Sequence, residues 1–238
     1  MATGPDVLIL TSLTAGFVHT LLGPDHYLPF IVLSKARGWS YRKTFWVTFV
    51  CGLGHILGAV LLGYLTLHLG FSLEKLNLIE SLRGHLAGWA VLIFGLFYLT
   101  WGLRLAFRKN LDITSPAQTG LLPWVLFIIF ILGPCEPLIP IMMYPALQQN
   151  IPGVFGATGL FGAATISAML AVVTVSYYGP NVFAPTPERQ YFQMGDGRRS
   201  GRDSAPLGST FRRWGRFSHA LAGLVMMLCG IGIQFFGL

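Results

Sequence analysis

Charge is what this chain has least of. Only 11% of its 238 residues are Asp, Glu, Lys or Arg, against roughly a quarter in soluble globular proteins, and 53% are hydrophobic. That balance excludes a soluble domain of any size. Cysteine is scarcer still: Cys51, Cys135 and Cys229 fall in three different apolar runs with no CxxC pair, which argues against a disulfide framework. No phosphate-binding glycine loop, serine-hydrolase elbow or HExxH pattern occurs, so enzymatic chemistry and an organic cofactor are not expected. No basic residue precedes the first apolar run and no small-residue cleavage site follows it, so that run is expected to remain as a membrane span.

What is present is apolar length. A helix crosses a hydrocarbon core of about 30 Å with about 20 residues, and six runs meet this, near 7–33, 44–70, 85–108, 121–147, 153–179 and 214–238. A formal charge of +7 would attract nucleic acid if it were spread over one face. Instead, every basic residue except Lys75 and Arg83 lies at the end of or after the first, third or fifth run. By the positive-inside rule those connections face the cytoplasm and both termini face out. The charge is therefore read as topology and as contact with lipid headgroups, and no nucleic-acid partner is expected. The implied location is a bacterial-type inner membrane, crossed several times.

The runs repeat. Leu22-Gly23-Pro24-Asp25-His26 and Leu132-Gly133-Pro134-Cys135-Glu136 align at an offset of 110 residues, and the same offset sets Gly52 and Ile56 on Gly162 and Ile166. Leu86, Ala87, Gly88, Gly95, Gly102 and Leu103 match Leu221, Ala222, Gly223, Gly230, Gly237 and Leu238 at an offset of 135. The expected fold is all-α: six transmembrane helices as two inverted three-helix repeats, 1–110 and 111–238, with the first and fourth helices broken. An odd number of spans per repeat makes the second copy enter from the opposite side, the arrangement that puts a substrate site at mid-depth. The Gly-, Ser-, Pro- and Arg-rich stretch near 180–212 has too little apolar surface to order itself, and a mobile cytoplasmic loop is expected there.

Asp25 and Glu136 are the only acidic residues within the six runs. A carboxylate at a helix centre costs roughly 2.5–3.5 kcal/mol, so both are expected to face a polar cavity. Pro24 and Pro134, with Pro29, Pro137 and Pro140, remove helix hydrogen bonds and free carbonyls beside them. With His26 and Cys135 adjacent, the two breaks offer imidazole, thiolate and carboxylate, a set suited to a divalent transition metal rather than an alkali cation. His19, two helical turns before His26, extends that site or relays protons, and His55, near the middle of the second run, is a further ligand. The expected metal site is thus His19, Asp25, His26, His55, Cys135 and Glu136. His68, His85 and His219 lie towards span ends and read as interfacial, Cys51 and Cys229 as packing residues, and Trp46, Trp89, Trp101, Trp124 and Trp214 as interface anchors.

These motifs resemble known membrane families. His19 with Gly23-Pro24-Asp25-His26 resembles the histidine-aspartate-histidine signature of the NicO and NiCoT nickel/cobalt permeases and of UreH-type proteins, with one residue more between His19 and Asp25. Gly133-Pro134-Cys135-Glu136-Pro137-Leu138-Ile139-Pro140 is similar to the matching element of the UreH, TauE/SafE-like and DsbD/CcdA-type transmembrane group. The resemblance implies a LysE-like six-span fold and, from the permease side, nickel or cobalt transport with His19, Asp25 and His26 as ligands. The metal would be substrate, and the bilayer a partner. Two alternatives stand beside this: a thiol-disulfide electron carrier of the DsbD/CcdA kind, using Cys51 and Cys135, and a non-transporting subunit or assembly factor of a larger complex. Membrane-protein partners and a homo-oligomer are both left open.

Overall fold

The structure is a computed structural model that describes residues 4–69, 73–107, 120–135, 137–179 and 217–236. Glu136, the side chain of His68 and the basic stretch 180–212 lie outside the described residues. The described residues are almost entirely helical: α1 (Gly4–Leu22), a 3-10 turn (Pro24–His26), α2 (Leu28–Ala36), α3 (Tyr41–Leu69), α4 (Leu73–Phe107), α5 (Leu121–Leu132), α6 (Leu138–Leu147), α7 (Ile151–Tyr178) and α8 (Ser218–Phe236). Four of these helices, α3, α4, α7 and α8, are long and apolar enough to cross a membrane, and α1, α5 and α6 are shorter apolar helices. Large apolar side chains such as Leu10, Leu61, Phe97 and Phe155 point outward, as suits a protein embedded in lipid.

The two interruptions are built alike. α1 ends at Leu22 and α2 starts at Leu28; α5 ends at Leu132 and α6 starts at Leu138, the same positions at the offset of 110. Proline supplies no N–H for the carbonyl four residues before it, so Pro24 and Pro134 end each helix where they stand. Each downstream helix then closes with a bond from the third residue past its end back into its last turn, Trp39 N to Ser34 O at 2.9 Å and Asn150 N to Pro145 O at 2.9 Å. The left-handed residue that such a turn requires is Gly38 in one case and Gln149 in the other. Asn150 also caps α7, its side chain accepting from Gly153 N at 2.9 Å.

Lipid tails are as apolar as leucine, so helices in a bilayer associate through close packing rather than water exclusion, and small residues set how close they come. α4 and α8 pack antiparallel through glycines on both sides. A methyl on Gly95 would land on the Met227 backbone, one on Gly102 on Ala220, one on Gly223 on Leu99 and one on Gly230 on Leu92. α3 and α7 meet in the same way at one point, where Gly52 faces Ile166 and Gly162 faces Ile56. α1 lies on α7, and α5 lies on α3.

One boundary differs from the sequence expectation. α4 begins at Leu73, so Glu80 and Arg83, expected in a connection, lie inside a long apolar helix. They fit there because they neutralise each other one turn apart, Arg83 Nη1 donating to Glu80 Oε2 at 2.6 Å, and Glu80 is only 2% exposed.

Candidate functional site

The three histidines His19, His26 and His55 converge. Each offers a ring nitrogen such that the three ligand atoms lie within 4.8 Å of one another. The rings of His19 and His26 are 4.7 Å apart and those of His26 and His55 are 5.1 Å apart, each pair edge to face. His19 comes from α1 and His55 from α3, while His26 sits on the 3-10 turn of the first break. His19 and His26 therefore meet across the interruption at Gly23, not because one regular helix face carries both.

Each break supplies a carbonyl that orients a histidine. His26 Nδ1 lies 3.1 Å from Gly23 O and 3.2 Å from Asp25 Oδ1. His55 Nδ1 lies 3.1 Å from Phe130 O, the carbonyl that Pro134 deprives of its helical partner. All three neighbours are acceptors, so Nδ1 must be the donor in both rings, and in the neutral imidazole the free lone pair is then on Nε2. The Nε2 atoms of His19, His26 and His55 are all buried without a hydrogen-bond partner. Buried polar nitrogens are nearly always satisfied; three unsatisfied ones on rings packed this closely call for a partner. A backbone carbonyl or carboxylate on the distal nitrogen is the usual support of a metal-bound histidine.

The donor set fits a transition metal. Metal–nitrogen bonds of about 2.0–2.1 Å put ligands roughly 3.4 Å apart around a tetrahedral ion, so the rings need draw in by little more than an ångström. Three neutral imidazoles suit nickel, cobalt, zinc, copper or iron and disfavour calcium or an alkali ion, which take oxygen.

Of the other expected ligands among the described residues, Asp25 and Cys135 are not part of the three-nitrogen group. Asp25 stands behind His26, with about a fifth of its side chain exposed, and supplies negative charge and an acceptor rather than a member of the three-nitrogen group. Cys135 is fully buried among Ile56, Ala59, Leu138, Ile141 and Phe161, and its backbone N–H donates to Glu80 Oε1 at 2.9 Å. All three cysteines are free, with Cys51 and Cys229 in two further apolar clusters. Thr165, the repeat counterpart of His55, reaches Gly16 O at 3.4 Å and provides no second imidazole.

Glu80 and Arg83 are the polar residues beside the site that sequence reasoning passed over. Pro134 and Pro137 point to carbonyls that need donors, but Arg83 stands 48 and 50 residues from the ones it meets, in a stretch that also carries Glu74, Lys75, Asn77 and Ser81, so nothing in the sequence pairs them. A second polar group joins α2, α4 and α8, where Arg37 Nε donates to Tyr98 Oη at 3.0 Å and Tyr98 Oη lies 2.9 Å from His219 Nδ1. Comparison with family models, curated proteins and solved structures finds no match for this chain.

Proposed function

We propose that this chain is a membrane transporter that carries a divalent transition-metal cation, nickel- or cobalt-like in its ligand preference, by alternating access at a site formed by His19, His26 and His55. The observation that carries the reading is the convergence of one ring nitrogen from each of three histidines within 4.8 Å, on rings that each bury an unpartnered Nε2 and two of which commit Nδ1–H to a carbonyl. Asp25 offsets the charge of the ion from behind His26. His26 and His55 are 4% and 3% exposed, so a cation enters or leaves only when the surrounding helices move, as an occluded intermediate requires.

In the finer architecture proposed here, α1 with α2 and α5 with α6 each make one broken crossing, giving six crossings in two inverted repeats, 1–110 and 111–238. The reciprocal contacts support this: Gly52 with Ile166 becomes Gly162 with Ile56 under the offset of 110. Gly95 with Met227 becomes Gly230 with Leu92 under the offset of 135. Antiparallel pairing of equivalent helices is what a two-fold axis in the membrane plane produces. The distribution of basic residues then puts both termini outside a bacterial-type inner membrane.

The test is metal uptake into liposomes by the purified chain, screened over nickel, cobalt, zinc and manganese, beside Asp25→Asn. Asparagine keeps an acceptor for His26 and removes the charge. Uptake of at least one metal by the wild type, with flux lost in a folded Asp25→Asn variant, is expected. Equal, background-level movement of every metal by both proteins refutes transport.

A further inference from the structure

Three consecutive facts about the second break point beyond the histidines. Helical pairing runs from each N–H to the carbonyl four residues earlier, so Pro134 and Pro137 leave Phe130 O and Gly133 O without their helical donors. Cys135 N turns away to Glu80 Oε1, which leaves Ile131 O without one as well. Phe130 O keeps one bond, from Gly133 N at 3.1 Å, with a second lone pair open; Ile131 O and Gly133 O are left to side chains, and an orphan carbonyl in hydrocarbon costs several kcal/mol. His55 Nδ1 lies on Phe130 O at 3.1 Å, while Arg83 Nη2 donates to Ile131 O at 2.8 Å and to Gly133 O at 3.3 Å.

We propose that Glu80 and Arg83 are positioning residues of the trihistidine site, a two-residue clamp that holds the α5–α6 break so that Phe130 O fixes the ring of His55. This rests on the reading of His19, His26 and His55 as ligands. The clamp grips the chain immediately beyond the orienting carbonyl: Arg83 takes the carbonyls at 131 and 133, and Glu80 takes the amide at 135. The segment so held lies against the imidazole itself, since a methyl on Gly133 would come 3.1 Å from His55 Nδ1. α3 leaves room for the guanidinium at Gly58, one turn beyond His55, where a methyl would meet Ile131 O at 2.8 Å and Arg83 Nη2 at 3.1 Å. Arginine is required for geometry, because one planar fork reaches a carboxylate and two carbonyls at once; a lysine ammonium is a single point charge.

The experiment compares wild type, Arg83→Lys and the neutral double variant Glu80→Gln with Arg83→Met, each as full chain in detergent. Three readouts are taken: the tautomer of His55 from nitrogen-15 NMR of histidine-labelled protein, Co(II) affinity from its visible absorption, and thermal stability. The double variant leaves no buried charge unpaired, and although Ile131 O and Gly133 O lose their donor, the glutamine oxygen still accepts from Cys135 N, so it serves where Arg83→Lys does not fold. Wild type is expected to hold His55 as the Nδ1–H tautomer. Both variants should mix the tautomers and lower Co(II) affinity by about tenfold or more, as loss of an outer-shell partner does. Variants that shift melting yet leave the His55 tautomer and Co(II) affinity at wild-type values reduce the pair to a structural brace and overturn the proposal. Wild type that binds no Co(II) removes the metal reading alone, and the tautomer still decides whether the clamp orients His55.

Discussion

Histidine is costly to bury with an open nitrogen, and this chain does so three times at one place. What makes the arrangement affordable at the level of single residues is that two of the rings are already half satisfied: Gly23 O and Phe130 O take the Nδ1 protons of His26 and His55 and leave Nε2 as a bare lone pair. On the proposed reading, removing one ring removes a ligand outright. Co(II) titration of His55→Ala is therefore expected to show a larger loss than the roughly 10–100-fold typical of outer-shell partners. Cys135→Ala, by contrast, should leave Co(II) affinity unchanged, because the sulfur is enclosed by Ile56, Leu138 and Phe161; a matching loss in Cys135→Ala would return the thiol to the ligand set. Histidines His19, His26 and His55 were each legible in the sequence as polar residues in apolar runs. Their grouping without Cys135 was not, because adjacency to a Gly-Pro break does not say which way a side chain leaves it. Nor did the sequence disclose that backbone carbonyls freed by proline would choose the tautomer.

At the scale of helices, glycine decides distance. Gly95 of α4 faces the backbone of α8 at Met227, which cannot step aside as a side chain can, whereas Gly156 of α7 has open space where a methyl would go. Gly95→Ala should therefore destabilise the protein by roughly 1–3 kcal/mol, the usual cost of overpacking. Gly156→Ala should be neutral or stabilising by about 0.5–1 kcal/mol, since alanine restricts the helix backbone less unfavourably than glycine. Thermal or denaturant unfolding in the same detergent checks both, and equal effects at the two positions would mean that the α4–α8 approach is not glycine-limited. The helices themselves were readable from apolar length, and both breaks from their Gly-Pro pairs, because proline's missing N–H acts locally whatever packs around it. The start of α4 was not readable. Glu80 and Arg83 look like connection residues until the carbonyls of α5 are brought beside them, and that juxtaposition, 48 and 50 residues along the chain from Arg83, exists only in the fold.

At the scale of the whole molecule, the proposal of inverted repeats makes a demand that neither residues nor helices test alone: equivalent points of the two halves must lie on opposite sides of the membrane. Ser40, at the start of α3, and Asn150, at the start of α7, are equivalent at the offset of 110. Both are exposed, as is Gln148 beside Asn150. Asn150 is needed as a cap, so Gln148 is the better probe. The native cysteines are buried and should give little background with a bulky, membrane-impermeant maleimide. In right-side-out vesicles, Gln148→Cys is expected to react and Ser40→Cys to react only after permeabilisation, because Arg37, Arg42 and Lys43 flank Ser40 and mark its side as cytoplasmic. Reversal of the two would invert the topology and keep the repeat relation. Labelling of both from the same side would remove the membrane-plane two-fold. The reciprocal glycine contacts would then be a packing coincidence, and alternating access about a central trihistidine site would lose its structural basis.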